Sequence, residues 1–261
     1  MPIALAHAEY GAGPPVLILH GLYGSGTNWT AVARSLAAQY RVFTLDLRNH
    51  GGSPWDDAMD YGAMAEDVRQ FLAAQGLGRA AIIGHSMGGK AAMVLALTAP
   101  QLVSRLVVVD IAPVARQTTL GAYAEAMRAL DLRGVSRRGA VDALLSPAVP
   151  ETAVRLFLLQ NLVPGPDGLR WRLNLDAILR GMGEIAGFPD LPAEAVYRGP
   201  VLVVRGERSD YVQESDLEAF RRRFPAFTLV TVPGAGHWVH AERTEPFLAA
   251  VERFLAAPSD G

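Results

Sequence analysis

Short aliphatic and β-branched runs alternate along this chain with longer stretches of helical period, and that alternation constrains the fold more than any other feature. Val16 to Leu19, Val42 to Leu45, Ala80 to Ile83, Leu106 to Val109, Val201 to Val204 and Phe227 to Val232 read as buried parallel strands. Between them, Asn28 to Ala38, Met64 to Ala74, Lys90 to Ala99, Glu214 to Arg223 and Thr244 to Ala256 carry apolar spacing suited to helices on both faces of a sheet. The expected class is α/β, with a mostly parallel central sheet. One interval breaks the alternation. Residues 113–198 show helical patterns at Arg116 to Leu130, Arg138 to Leu145, Glu151 to Leu162 and Leu173 to Gly183, interrupted by Pro164-Gly165-Pro166-Asp167-Gly168 and with no clear strand. They are expected to form a helical cap inserted into a core made of 1–112 and 199–261.

At 261 residues, 50% hydrophobic and 19% charged, the chain can bury a large core. A net charge of -2 gives no broad basic field for nucleic acid, and Arg221-Arg222-Arg223 reads as the solvated end of a helix. The absence of cysteine excludes disulfides, thiol nucleophiles and thiolate metal sites, and suits a cytoplasmic protein. No apolar run approaches the roughly 18 residues of a membrane span, and the stretch from Met1 to Leu5 lacks the basic start of a signal sequence.

The stretch Gly84-His85-Ser86-Met87-Gly88 lies where an expected strand gives way to an expected helix. A serine on so sharp a turn requires small residues two before and two after it, and Gly84 and Gly88 supply them. The turn lifts the hydroxyl clear of the sheet and aims the N–H groups opening the helix at the same point. Ser86 is therefore the expected nucleophile, with the Met87 N–H as an oxyanion donor. The second donor is expected from the loop in Leu19-His20-Gly21-Leu22-Tyr23-Gly24, at the Leu22 N–H, where Gly21 allows close backbone approach.

Six histidines are available to act as base. His237, in the glycine loop Pro233-Gly234-Ala235-Gly236-His237 after the last strand, is the one positioned to swing over a serine at the carboxyl edge of the sheet. His240 reads as a supporting or capping residue, His85 as packed beneath the turn, and His20 as bonded to its own loop. For the acid that orients the imidazole, two strand ends compete, Asp110 after Leu106 to Val109 and Asp210 after Val201 to Val204. Asp56, Asp57 and Asp60 read as surface charges. Tyr23, Met87, Tyr123, Phe157, Trp171, Tyr211 and Trp238 are candidate apolar walls of a pocket between the turn and the cap, each able equally to be core.

The same glycine stretch also fits a phosphate-loop pattern through Gly89-Lys90. That reading needs a Ser or Thr after the lysine to hold magnesium, and the residue is Ala91. No HExxH motif is present, so neither metal nor cofactor is expected.

Taken together, these motifs resemble the serine hydrolases of the α/β-hydrolase superfamily over nearly the whole chain. They are most similar to the YbfF-type esterases, through Asp46-Leu47-Arg48-Asn49-His50-Gly51, Gly84 to Lys90, Val109-Asp110-Ile111-Ala112-Pro113 and Gly234 to Glu242. In most of the superfamily the acid lies three residues after the glycine ending the later strand, which here is Ser209, whereas the YbfF type places it one strand earlier. The resemblance thus favours Asp110, with Asp210 as the alternative. It implies hydrolysis of small or medium acyl esters through an acyl-enzyme. A thioesterase is the nearest enzymatic alternative, and a ligand-binding protein on the same fold is the non-enzymatic one. The implied partner is a small-molecule ester, with neither nucleic acid nor stable membrane insertion. A serine in place of aspartate at the nucleophile position argues against dehalogenase or epoxide-hydrolase chemistry.

Overall fold

In the computed structural model, which describes every residue except Gln117 and 259–261, the six expected strands lie in one sheet with a seventh. In chain order the strands are β1 His7–Tyr10, β2 Pro15–Leu19, β3 Arg41–Leu45, β4 Ala80–His85, β5 Val103–Val109, β6 Leu162–Gly165, β7 Gly168–Trp171, β8 Val201–Gly206 and β9 Phe227–Val232. The main sheet runs β1-β3-β2-β4-β5-β8-β9, parallel throughout except for β1, which pairs antiparallel with β3. Strand β1 escaped notice because His-Ala-Glu-Tyr lacks the apolar signature and stays largely exposed at the sheet edge. The opposite edge strand, β9, is parallel but only half-buried, not the buried strand expected from its composition.

The helices are α1 Thr30–Leu36, α2 Tyr61–Ala74, α3 Met87–Thr98, α4 Leu120–Arg128, α5 Arg138–Leu145, α6 Thr152–Leu159, α7 Leu175–Arg180, α8 Met182–Ala186, α9 Leu217–Arg223, α10 Val239–Glu242 and α11 Thr244–Ala256. Alternation along each strand divides the core. Leu17 and Leu19 of β2 face α2 and α3, while Val16 and Ile18 face α1 and α11. Helix α2 begins because the Asp60 carboxylate accepts the Ala63 N–H at 2.8 Å, and it buries Met64, Val68, Phe71 and Leu72 at helical spacing. Helix α3 is buried from Met87 to Leu97, so it tolerates almost no polar residue apart from Lys90.

Between β5 and β8 stand α4 to α8, together with a two-stranded hairpin that the sequence reading missed. Strands β6 and β7 pair antiparallel across Pro166-Asp167, within the segment taken for a plain loop. Its prolines and glycines mask strands of only four residues each. The helix expected from Arg116 starts at Leu120, and Gln117, inside that expected range, lies outside the described residues. The helix expected over Leu173 to Gly183 is two, broken at Gly181. Arg155 fastens α6 to the chain leaving α5, donating to Asp142 at 2.7 Å and to the carbonyls of Val149 and Pro150 at 3.0 and 2.8 Å.

Two charge assignments need correction. Arg221 and Arg222 are solvated, but Arg223 folds back onto the carbonyls of Leu191, Pro192 and Ala195. Of the three supposed surface aspartates, Asp60 caps α2 and Asp56 pairs at 3.2 Å with the fully buried Arg48 guanidinium, leaving Asp57 as the exposed one.

Candidate active site

Three parallel strands of the sheet end in residues that turn out of the pleat at its carboxyl edge. Ser86 follows β4 directly, Asp110 follows β5, and the loop after β9 carries His237. On the other side of β4, at the point where the strand order reverses, β2 leads into the turn containing Leu22. A crevice is expected at such a reversal.

Ser86 has φ 52° and ψ -118°, a left-handed conformation that a side chain tolerates only when its surroundings enforce it. Enforcement is visible on both sides. The Ser86 N–H donates to Val109 O and its carbonyl accepts from the Lys90 N–H, each at 3.0 Å. A Cβ on Gly84 would strike the Gly88 carbonyl, and one on Gly88 would strike those of Leu19 and His20. The two flanking glycines are a steric requirement of packing helix α3 against β2 and β4.

Asp110 is also left-handed, at φ 50°, and is fully buried. Its Oδ2 accepts His237 Nδ1–H at 2.7 Å and the Ser209 hydroxyl, and its Oδ1 accepts the Gly206 N–H at 3.0 Å. Three donors compensate the burial of this carboxylate. The bond to Nδ1 fixes the tautomer of His237, leaving Nε2 bare as an acceptor. Tyr211 stacks on the imidazole with ring centroids 3.9 Å apart. Asp210, the competing acid, is exposed and lines a separate surface groove with Arg116 and Thr119. The residue after β8 that does reach the site is Ser209, three positions beyond Gly206, where the resemblance to the superfamily puts the usual acid.

The remaining pocket histidines are held neutral. His20 Nδ1–H donates to Gly21 O at 2.8 Å while its Nε2 accepts the Leu47 N–H at 2.9 Å, and burial pushes its imidazole down to about 4. His50, behind the same turn, donates to Arg48 O and accepts the Tyr23 N–H at 3.1 Å; burial, then the neighbouring His20, lower it to about 3. His85 Nε2–H donates to the backbone carbonyl of His237 at 2.9 Å, anchoring the loop that carries His237. Burial first, then the nearby His237 and His240, hold it well below the usual imidazole range. His240 stacks on Trp29 at 3.8 Å, and burial lowers it to about 3.

A cavity of about 180 Å³ opens at Ser86 and His237. Of the expected walls, Tyr23, Tyr123, Phe157, Tyr211 and Trp238 line it, with Leu22 beside them. Phe157 of α6 faces Trp238 with ring centroids 5.4 Å apart. Two expected walls lie elsewhere. Trp171 is buried on the hairpin, donating Nε1–H to Met127 O at 2.9 Å, because its hydrogen-bonding edge found a backbone partner inside the 113–198 interval. Met87 lines a smaller cavity that also touches Ser86, with Tyr61 and Lys90. Among the described residues, no protein acceptor engages the N–H of Leu22 or of Met87. No cluster of three or more His, Asp or Glu residues suited to a metal occurs among the described residues either.

Residues 14–244 match the family model described as the alpha/beta hydrolase fold. The chain is 42% identical over 251 residues to the mouse (Mus musculus) sn-1-specific diacylglycerol lipase ABHD11, covering 93% of this chain and 81% of that protein. It is 36% identical over 245 residues to esterase YbfF of Escherichia coli K12, covering 92% of each. A solved structure titled marine microorganism esterase superposes with a TM-score of 0.93 at 37% identity, covering 97% of this chain and 99% of that one.

Proposed function

This chain belongs to the α/β-hydrolase fold family and is a carboxylic ester hydrolase, and from that premise we propose that Ser86, His237 and Asp110 form its catalytic triad, with the N–H groups of Leu22 and Met87 as oxyanion donors. The observation that carries the assignment is the 2.7 Å bond from His237 Nδ1 to a buried carboxylate, in a cavity shared with a serine held on a left-handed strand-to-helix turn.

His237 Nε2 takes the proton of the Ser86 hydroxyl as Oγ attacks the ester carbonyl. Negative charge moves to the carbonyl oxygen, where two preorganised N–H groups meet it without reorganisation. The imidazolium is stabilised by Asp110, whose position is fixed in turn by Ser209 and Gly206. Collapse of the tetrahedral intermediate expels the alkoxide, which takes the proton from Nε2. Water, deprotonated by the same nitrogen, then attacks the acyl-enzyme, and collapse of the second tetrahedral intermediate breaks the bond to Ser86 Oγ, which takes the proton back from Nε2 as the acid leaves.

The interval 113–198 serves as a cap: it supplies Leu120, Tyr123, Val154, Phe157 and Leu158 to the cavity. That apolar lining suits small or medium acyl esters, extending to the glyceride esters named for the mouse relative. Among the described residues no helix is long and apolar enough to cross a membrane. A fluorophosphonate probe tests the nucleophile: it should label Ser86 and nothing else. An ester chain-length series run beside acyl-CoA thioesters then tests the substrate class. Labelling that persists in Ser86→Ala would refute the assignment.

A further inference from the structure

The turn carrying the Leu22 N–H is gripped by the cap, and we propose that Asn161 is a positioning residue that sets this oxyanion donor from the cap side. The inference rests on the reading of Leu22 as a donor, and goes further by making cap placement a condition of catalysis.

Residues Gly21 to Gly24 form a tight turn closed by the Gly24 N–H on Gly21 O at 3.0 Å. Its third residue, Tyr23, is left-handed at φ 63°. For a residue with a large side chain that conformation is unfavourable. It persists only where the surroundings over-determine it. Three hydrogen bonds do so here. Behind the turn, His50 Nε2 accepts the Tyr23 N–H at 3.1 Å. The other two come from the cap. Asn161 Nδ2 donates to Tyr23 O at 2.7 Å, and the Tyr23 hydroxyl donates to Leu120 O at 2.7 Å.

Asn161 is only 2% exposed, and the same amide nitrogen also donates to Leu158 O at 3.2 Å, so its position follows the end of α6. Beside it, Asn28 Nδ2 donates to Gln160 Oε1 at 2.6 Å, a second tie between the cap and the segment after the turn. The peptide before Tyr23 is therefore fixed by the core, and the peptide after it by the cap. Release of the second lets the turn rotate about the first, which swings the Leu22 N–H one residue upstream. A displacement of about 1 Å at a reacting centre can cost on the order of a hundredfold in rate. Loss of an entire oxyanion donor costs about a hundredfold to a thousandfold in kcat.

The test is steady-state kinetics on Asn161→Ala and the isosteric Asn161→Asp, each checked for an unchanged fold by thermal unfolding and circular dichroism. Both should lower kcat by about tenfold to a hundredfold with KM within about twofold, the pattern for an interaction realised in the transition state. Affinity for a trifluoromethyl ketone, whose carbonyl adds Ser86 Oγ to give a hemiketal oxyanion in the oxyanion site, should fall by the same factor as kcat/KM. Tyr23→Phe, which keeps the ring and removes only the bond to Leu120, should show a smaller drop of the same kind even if the Asn161 variants fold poorly. Trp55→Phe breaks a different tie to the cap, the indole N–H on Arg172 O, which does not touch Tyr23, and should leave kcat unchanged. Unaltered kcat in both Asn161→Asp and Tyr23→Phe would overturn the proposal, as would a rise in KM with kcat intact. Failure of the underlying triad assignment would show instead in the wild-type chain, as an absence of phosphonate labelling at Ser86.

Discussion

The carboxyl edge of the sheet and the 113–198 interval meet at one cavity but are held together differently. At the edge, Ser86 and Asp110 are buried in left-handed conformations and tied by backbone bonds to neighbouring strands, Ser86 N–H to Val109 O and Asp110 N–H to Val204 O at 2.8 Å. The 113–198 interval has backbone pairing of its own, but its ties to the rest of the chain include side chains reaching carbonyls, Asn161 on Tyr23 and Trp55 on Arg172. It also leaves Leu144 and Leu156 about half exposed, at 49% and 57%. Backbone ladders fix reacting atoms to within fractions of an ångström, while side-chain fastenings can be lost or exchanged singly. The proposed triad accordingly puts the chemistry at the edge, and the proposed cap would govern discrimination among substrates.

Four outcomes would break or sharpen that contrast. The largest effect is expected at the edge: Ser86→Ala should lower kcat by about 10⁴-fold to 10⁶-fold with the fold intact. Next, Asp110→Asn should cost about 10⁴-fold by inverting the imidazole tautomer. Asp210→Asn, compared in the same assay, should cost less than about twofold, since a solvated carboxylate turned away from the imidazole has no part in orienting it. A larger loss in Asp210→Asn than in Asp110→Asn would reassign the acid.

In the cap, Phe157→Ala should change selectivity rather than chemistry. We expect a shift of about tenfold to a hundredfold in kcat/KM between short and long esters, with little change in kcat on the best substrate. A uniform loss of kcat across the series would place Phe157 with the edge instead. The last outcome concerns stability. His20, His50 and His240 are lowered to about 4, 3 and 3 by burial, against about 6.5 in an unfolded chain. Below pH 6.5 the unfolded chain binds more protons than the folded one, so stability is full above that value and falls with acidification. Each such histidine removes up to about 1.4 kcal/mol per pH unit. Thermal unfolding should therefore shift downward between pH 7 and pH 5. A flat profile over that range would show that these rings are protonated in the fold.

Some of this was legible in the chain because the cause is local. The glycines at 84 and 88 answer to the turn of the residue between them, and the order of strand, Ser86 and helix α3 needs no distant partner. The late glycine loop likewise announced His237. Asp110 against Asp210 was not decided by residues alone, because both follow strands and the two strands are neighbours. The resemblance pointed to Asp110, and the folded chain brings that carboxylate to the imidazole while turning Asp210 outward after Gly206. Ser209 was named only as the superfamily's usual acid position, and its role as a donor to Asp110 appears only when β5 and β8 lie side by side. Trp171 illustrates the opposite error: an aromatic in the right interval, drawn to a backbone carbonyl inside the cap and away from the cavity.

What the amino-acid order determined by itself was the α/β architecture, the turn that carries Ser86 and the glycine loop that carries the proposed base, because strand and helix periods and a steric turn are encoded within a few residues. What only the tertiary structure decided was which carboxylate faces the imidazole, which aromatics reach the cavity, and that Asn161 grips Tyr23 from 138 positions away. Those depend on how elements distant in the chain pack. A hydrogen bond between residues so far apart leaves no period or spacing behind to be read.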